Sequence, residues 1–167
     1  MRIYLIRHAI AYPQTPDSAM LDSARELTPQ GITKMQRSAA ALVRMGVQCD
    51  EIWTSPYSRA RQTAEILCSA LNTPREPRQM TELEPDGDLR GIVTTLQLHA
   101  DRSGIALVGH EPSLGRLAGL LLFGEPVAVA EFKKGGVCCI EVEQFGQPLR
   151  SSLRWMVTPK QLRWMGK

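Results

Sequence analysis

The chain has 167 residues, 43% apolar and 22% charged, with a formal net charge of +3. That size matches one domain able to bury a core without disulfide support, and the composition excludes a disordered or low-complexity chain. The first apolar run is cut short by Arg7, so it has neither the length nor the flanks of a signal peptide or membrane span. The expectation is a single cytoplasmic domain over residues 1–167, a monomer that contacts neither membrane nor nucleic acid.

The run Ile3-Tyr4-Leu5-Ile6 predicts a buried first strand, closed by Arg7 and His8. A helix follows from Thr28, the expected N-cap, with Pro29 at its first position and Gly46 at its end. Its apolar stripe is Ile32, Met35, Ala39, Leu42 and Val43. Glu51 to Thr54 reads as a second strand, and Ser55-Pro56 as the start of a helix with Ala60, Ala64, Leu67 and Leu71 on its buried face. Asn72 to Gln79 is a proline-rich connection, followed by an acidic loop carrying Glu82, Glu84, Asp86 and Asp88.

A third helix spans Asp88 to His99, where His99 is expected to pack or cap. Ile105 to Val108 is apolar without alternation, as a central strand covered on both faces should be. Gly109-His110 follows at once, and Pro112 opens a fourth helix that ends near Gly124. Val127 to Phe132, Val137 to Val142 and Leu153 to Val157 read as three closing strands. The alternation predicts an α/β fold: a three-layer sandwich with a mostly parallel central sheet of about six strands and helices on both faces.

Cys49, Cys68, Cys138 and Cys139 contain no Cys-x-x-Cys pair and read as small core residues in a reducing compartment. Trp53, Trp155 and Trp164 are likewise expected in the core. Arg150, Arg154, Lys160, Arg163 and Lys167 crowd the last segment, which reads as a basic, solvated face.

Arg7, His8, Arg59 and His110 all fall just past the ends of predicted strands. In open α/β sheets that carboxyl edge is where ligands bind. If the three strands are neighbours, two permanent cations and two imidazoles share one pocket, with helix N-termini adding partial positive charge. A dianionic phosphate suits such a pocket. Arg61 lies about 200° around the helix from Arg59, at about 100° per residue, and reads as solvated.

Leu5-Ile6-Arg7-His8-Ala9 resembles the signature of the histidine phosphatase superfamily, which includes phosphoglycerate mutases and acid phosphatases. Arg25-Glu26-Leu27-Thr28-Pro29-Gln30-Gly31, Ser55 to Ala64 and Val108-Gly109-His110-Glu111-Pro112 fall in the family's order. The short length, the Arg-His-Ala form and the Gly-His-Glu-Pro segment resemble the SixA-type protein phosphohistidine phosphatases. The resemblance implies a phosphoglycerate mutase-like fold and a phosphatase that needs neither metal nor cofactor. It implies that His8 is the nucleophile, that Arg7 and Arg59 grip the phosphoryl oxygens, that His110 donates to the remaining oxygen, and that Arg25 with Asp22 lines the mouth. The substrate implied is a phosphohistidine-bearing protein, similar to a histidine phosphotransfer domain, in phosphorelay signalling.

Mutases of the family carry a polar residue three positions after the nucleophile and an asparagine six after it. Ala11 and Gln14 stand there in this chain, which argues against sugar-phosphate mutase activity. The length leaves no room for an inserted cap, and an uncapped site suits a phosphate displayed on another protein. None of the four acidic-loop residues matches a general-acid motif. Phosphohistidine lessens that need, because its leaving group can depart as neutral imidazole, whose conjugate acid has a pKa near about 6.5.

Four rival readings remain open. Ser113 follows a strand and opens a helix, but Glu111 occupies a position where a nucleophile elbow has glycine. A metal-dependent phosphoesterase would place Arg7 and Arg59 beside its own cation. A phosphatase of small phosphate esters, or a phosphate-recognition module without turnover, would use the same cations.

Overall fold

The computed structural model describes residues 1–15 and 21–165. In chain order its elements are β1 (Arg2–Arg7), α1 (Pro29–Arg44), β2 (Glu51–Thr54), α2 (Ser58–Leu71), β3 (Arg78–Gln79), α3 (Leu89–Leu98), β4 (Gly104–Gly109), α4 (Ser113–Phe123), β5 (Val137–Gln144), β6 (Arg150–Val157) and α5 (Pro159–Met165). One six-stranded sheet runs β3-β2-β4-β1-β5-β6. The pairs β3–β2, β2–β4 and β4–β1 are parallel, and β1–β5 and β5–β6 are antiparallel.

Alternation along β1 and β4 divides the core. Tyr4, Ile6, Ala106 and Val108 point to the side covered by Met35, Ala39 and Leu42 of α1, Ala60, Ala64 and Leu67 of α2, and Leu162 of α5. Ile3, Leu5, Ile105 and Leu107 face Ile92 and Leu96 of α3 and Leu114, Leu117, Ala118 and Leu121 of α4. Strands buried on both faces are the reason these segments lack polar alternation. The expected three layers are therefore present. All four cysteines are free, and adjacent Cys138 and Cys139 fall on opposite faces.

Several expected boundaries hold. Thr28 caps α1 by accepting from Gly31 N at 3.0 Å, and Asp88 caps α3 by accepting from Arg90 N at 3.0 Å. His99 is the C-cap of α3, with Nδ1 2.9 Å from Thr95 O and its ring edge-on to Trp53.

Other expectations are corrected. Val127 to Phe132 forms no strand, and its backbone is tied to α4 and to the turn before it: Val129 N donates to Gly115 O, and Phe132 N donates to the Glu111 carboxylate. The sixth strand is β3, two residues within the proline-rich connection, which pairs beside Trp53 and Thr54. Helix α2 begins at Ser58 rather than at Ser55-Pro56; the Ser55 hydroxyl accepts from Tyr57 N ahead of the helix and also meets His110. Residues 159–165 form a further short helix. Trp53 is fully buried, but Trp164 is exposed, with Lys160 over its ring.

The basic segment is largely edge structure. Arg150 and Arg154 lie on edge strand β6, where charge discourages strand addition, and Arg154 pairs with Glu141. Lys167 lies outside the described residues. Among the described residues no helix is long and apolar enough to cross a membrane.

The loop after β1 is clamped onto the start of α1. Thr28 N donates to Ile10 O at 3.0 Å, and Ala11 bridges to Leu27. Gly31 makes this approach possible, since a Cβ there would lie 2.1 Å from Ile10 O. Gly31→Ala should therefore destabilise the protein by about 1–3 kcal/mol in urea unfolding, through overpacking against backbone that cannot move aside cheaply.

Candidate active site

The register of β1 and β4 builds the site. Arg7 pairs with Gly109, so the next residues, His8 and His110, leave the sheet side by side. Their ring centroids are 5.1 Å apart, and His8 N donates to Gly109 O at 3.0 Å. Strand β2 flanks β4 and ends at Thr54, after which Ser55 N donates to Val108 O. Two residues past the tight turn at Pro56-Tyr57, Arg59 in the first turn of α2 reaches back to His8.

The tautomer of His8 follows from its two hydrogen bonds. Nδ1 lies 2.7 Å from Ala9 O, an atom that only accepts, so Nδ1 carries the proton. Nε2 is then a lone pair, and it accepts from Arg59 Nε at 3.2 Å. The second ring is held by Ser55: His110 Nε2 is 2.9 Å from Ser55 Oγ, which also accepts from Tyr57 N. The Tyr57 ring stands edge-on to His110 and lies under the Arg59 guanidinium.

His8 is 6% exposed, Arg59 4% and His110 3%. Burial pushes both imidazoles down to about 3, and the Arg59 and Arg7 charges act in the same direction, against the Ala9 carbonyl on His8. Both rings are therefore neutral at physiological pH. Burial also presses the Arg59 guanidinium below its ordinary value, opposed by Asp22.

Two buried nitrogens among the described residues have no partner: Arg7 Nε and His110 Nδ1. They belong to the two residues that flank His8 in chain and in space. Arg7 is otherwise fixed by NH1 donating to Phe132 O at 2.5 Å. Buried polar atoms without partners are rare in folded proteins, and their coincidence here marks a place for a ligand that supplies hydrogen-bonding atoms.

Arg25 joins the site through Asp22. The Asp22 carboxylate accepts from Arg25 Nε at 2.7 Å and from Arg59 NH2 at 3.0 Å, while its carbonyl accepts from Arg59 NH1 at 2.7 Å. Partial burial would raise the Asp22 carboxyl, but the hydrogen bonds from Arg25 and Arg59 hold it below the usual range. Arg25 NH1 also donates to Tyr12 O, which fixes the loop.

Arg25, Asp22, Arg59 and His8 form one hydrogen-bonded chain, the His110 ring lies beside that of His8, and the Arg7 charge acts on both rings. Arg61 points to solvent. Ser113 accepts from Asp86 N and has no histidine contact, unlike the serine of a hydrolase triad. The acidic-loop residues show local contacts instead: Asp88 caps α3, and Glu82 bonds Thr81. Two further members carry no sequence signal for this role: Ser55, whose pattern with Pro56 is that of a helix cap, and the Phe132 carbonyl, a backbone group that no side-chain pattern announces. Thr63 was also unassigned. It accepts from Ala9 N and donates to Arg59 O, tying the loop after His8 to the helix that carries Arg59.

Residues 3–92, more than half of the chain, match the model of the histidine phosphatase superfamily, branch 1. The chain belongs to this superfamily. An uncharacterised protein of the Picosynechococcus sp. strain PCC 7002 is 36% identical over 139 residues, covering 82% of each chain. Phosphohistidine phosphatase SixA of Escherichia coli is 28% identical over 166 residues, covering 98% of this chain and 97% of that one. The structure of the protein histidine phosphatase SixA complexed with tungstate superposes with a TM-score of 0.84 at 27% identity, covering 97% of this chain and 99% of that one. The protein is accordingly a phosphatase of the histidine phosphatase superfamily, and the fold is the α/β architecture of SixA.

The neutral, buried rings have a measurable consequence. In nuclear magnetic resonance titrations of the free protein, His8 and His110 should show no protonation step between about pH 5 and 8. Below the ordinary histidine value of about 6.5 the unfolded chain takes up protons that the folded rings refuse, so their contribution lowers stability as pH falls from there toward about 3. A step near 6.5 for either ring would contradict the account.

Proposed function

We propose that the protein removes phosphate from a phosphohistidine of another protein, with His8 as transient phosphoryl carrier. The observation that carries this reading is the trio at the end of β1 and β4: a neutral imidazole with its Nε2 lone pair directed toward Arg59, flanked by two buried nitrogens without protein partners. A phosphoryl group supplies oxygens for those nitrogens and an electrophile for that lone pair.

In the first step Nε2 of His8 forms a bond to phosphorus while the bond from phosphorus to the substrate imidazole breaks in line. Arg59 Nε moves from Nε2 to a phosphoryl oxygen, and Arg7 Nε takes another. A planar guanidinium matches such oxygens better than the point charge of lysine. With the Ser55 hydroxyl donating to His110 Nε2, His110 Nδ1 carries the ring proton, keeps it, and donates a hydrogen bond to the third oxygen. Such preorganised donors act on the charge of the transition state, and loss of one typically costs on the order of 10²-fold in rate.

The proton on His8 Nδ1 stays in place, held by Ala9 O. Phospho-His8 is then a protonated ring and a good leaving group. Water attacks phosphorus, the bond to Nε2 breaks with its electron pair, and neutral His8 returns with release of phosphate. The substrate imidazole leaves the first step in the same manner, without a protein acid. This agrees with the absence of Glu82, Glu84, Asp86 and Asp88 from the hydrogen bonds of His8 and His110.

The proposed donor is a phosphorylated histidine phosphotransfer-like domain of a phosphorelay. SixA, by its name a phosphohistidine phosphatase, supports that choice through the full-length similarity. Purified protein, without added metal, should be offered a phosphohistidine-bearing domain beside a phosphoserine protein, a sugar phosphate and an aryl phosphate. The phosphohistidine kcat/KM should exceed that for phosphoserine by at least about 10²-fold, the lower range of what a general acid contributes. His8→Ala should abolish release. Equal turnover of both substrates, or release that survives His8→Ala, would overturn the reading.

A further inference from the structure

Glu111 lies between His110 and Pro112, and backbone N–H groups, not the two imidazoles, hold its carboxylate. Its Oε1 accepts from Phe132 N at 3.2 Å, and the Gly115 amide donates to the same carboxylate from the first turn of α4. The carbonyl of Phe132 accepts in turn from Arg7 NH1 at 2.5 Å. Phe132 has a fully buried ring in the core layer beneath α3 and α4, so one residue is fixed by its ring, its N–H and its carbonyl together. Beyond it, Gly135 N donates to both Arg7 O and His8 O.

We propose that Glu111 is a positioning residue that sets the Arg7 guanidinium for phosphoryl binding through the backbone of Phe132, whose N–H it holds on one side while the carbonyl on the other side holds Arg7. The inference rests on the reading of Arg7 as a phosphoryl ligand. The segment around Phe132 forms no strand, so its peptide groups have no ladder to orient them. The Glu111 carboxylate takes the place of that ladder and aims the Phe132 carbonyl at Arg7. The packing leaves it little freedom, since a Cβ on Gly115 would lie 3.2 Å from Oε2 and 2.6 Å from Ala130 O. Burial raises the Glu111 carboxyl, while the Phe132 N–H and the Arg7 charge favour its ionised form. The carboxylate also offsets part of the Arg7 charge, while Arg7 Nε keeps no protein partner.

The test is equilibrium binding of inorganic phosphate to the whole protein, read by calorimetry well below the melting temperature. Glu111→Leu should weaken phosphate binding by about tenfold, the size of coupling expected between groups in one hydrogen-bonded network. Glu111→Gln keeps an oxygen for Phe132 N and should recover binding to within about threefold of wild type. Glu111→Asp keeps the charge but withdraws it by one methylene, and it should show a milder form of the loss if Glu111→Leu does not fold. In an Arg7→Ala background, Glu111→Leu should cause no further weakening.

A lower melting temperature with unchanged phosphate affinity in Glu111→Leu or Glu111→Asp would overturn the proposal, as would an undiminished tenfold loss in the Arg7→Ala background. If Arg7→Ala weakens binding and the Glu111 variants do not, only the relay fails. If Arg7→Ala itself leaves affinity unchanged, the phosphoryl role of Arg7 fails and the relay falls with it.

Discussion

The parallel pairing of β1 with β4, in the register that sets Arg7 against Gly109, is the constraint on which the site depends. It delivers two histidines from distant parts of the chain to adjacent positions at one sheet edge. A slip of one residue would send the alternate side chains of β1 to the wrong core layer, so burial of Ile3 and Leu5 on one face and Tyr4 and Ile6 on the other guards the register. Chemistry at the sheet edge thus draws its precision from packing in the sheet interior. The helices then complete the arrangement, with α1 clamping the loop after His8 and α2 bringing Arg59 to its ring.

Electrostatics explains the rest of the local design. Buried cations are costly without partners, and three guanidiniums, Arg7, Arg25 and Arg59, gather near two rings that burial keeps neutral. Asp22 bridges Arg25 and Arg59, while a peptide carbonyl holds Arg7. These contacts keep the cations in place yet leave Arg7 Nε and His110 Nδ1 without partners. Asp22 is 45% exposed at its side chain, so its hold on the buried Arg59 is screened and can be exchanged for a more highly charged anion.

Much of this was legible in the sequence because it rests on periodicity and strand ends. The unbroken apolar runs at Ile3 to Ile6 and Ile105 to Val108 announced covered parallel strands, and their terminal residues announced the site. Thr28-Pro29 and Asp88 marked helix starts through capping chemistry that acts locally. The segment from Val127 to Phe132 misleads because its alternation is that of a strand, whereas Val127 and Val129 are exposed and backbone hydrogen bonds to Gly115 and Glu111 hold it in place of strand pairing. Strand β3 was hidden by its two-residue length and flanking prolines. Ser55-Pro56 announces a local cap, and the Ser55 hydroxyl does accept from Tyr57 N, but its second partner, His110, is 55 residues away. The roles of Phe132 and Glu111 arise from backbone hydrogen bonds across the chain, which residue identity alone does not encode.

The proposed reaction turns on one bond, that between phosphorus and Nε2 of His8. It is tested most directly by mixing the protein with a radiolabelled phosphohistidine domain for less than one turnover, quenching in base and mapping the labelled peptides by mass spectrometry. Acid-labile phosphate is expected on the peptide carrying His8, at Nε2, rising and decaying as free phosphate appears. Phosphate release with no label on His8 at any time, or label on another residue, would contradict it.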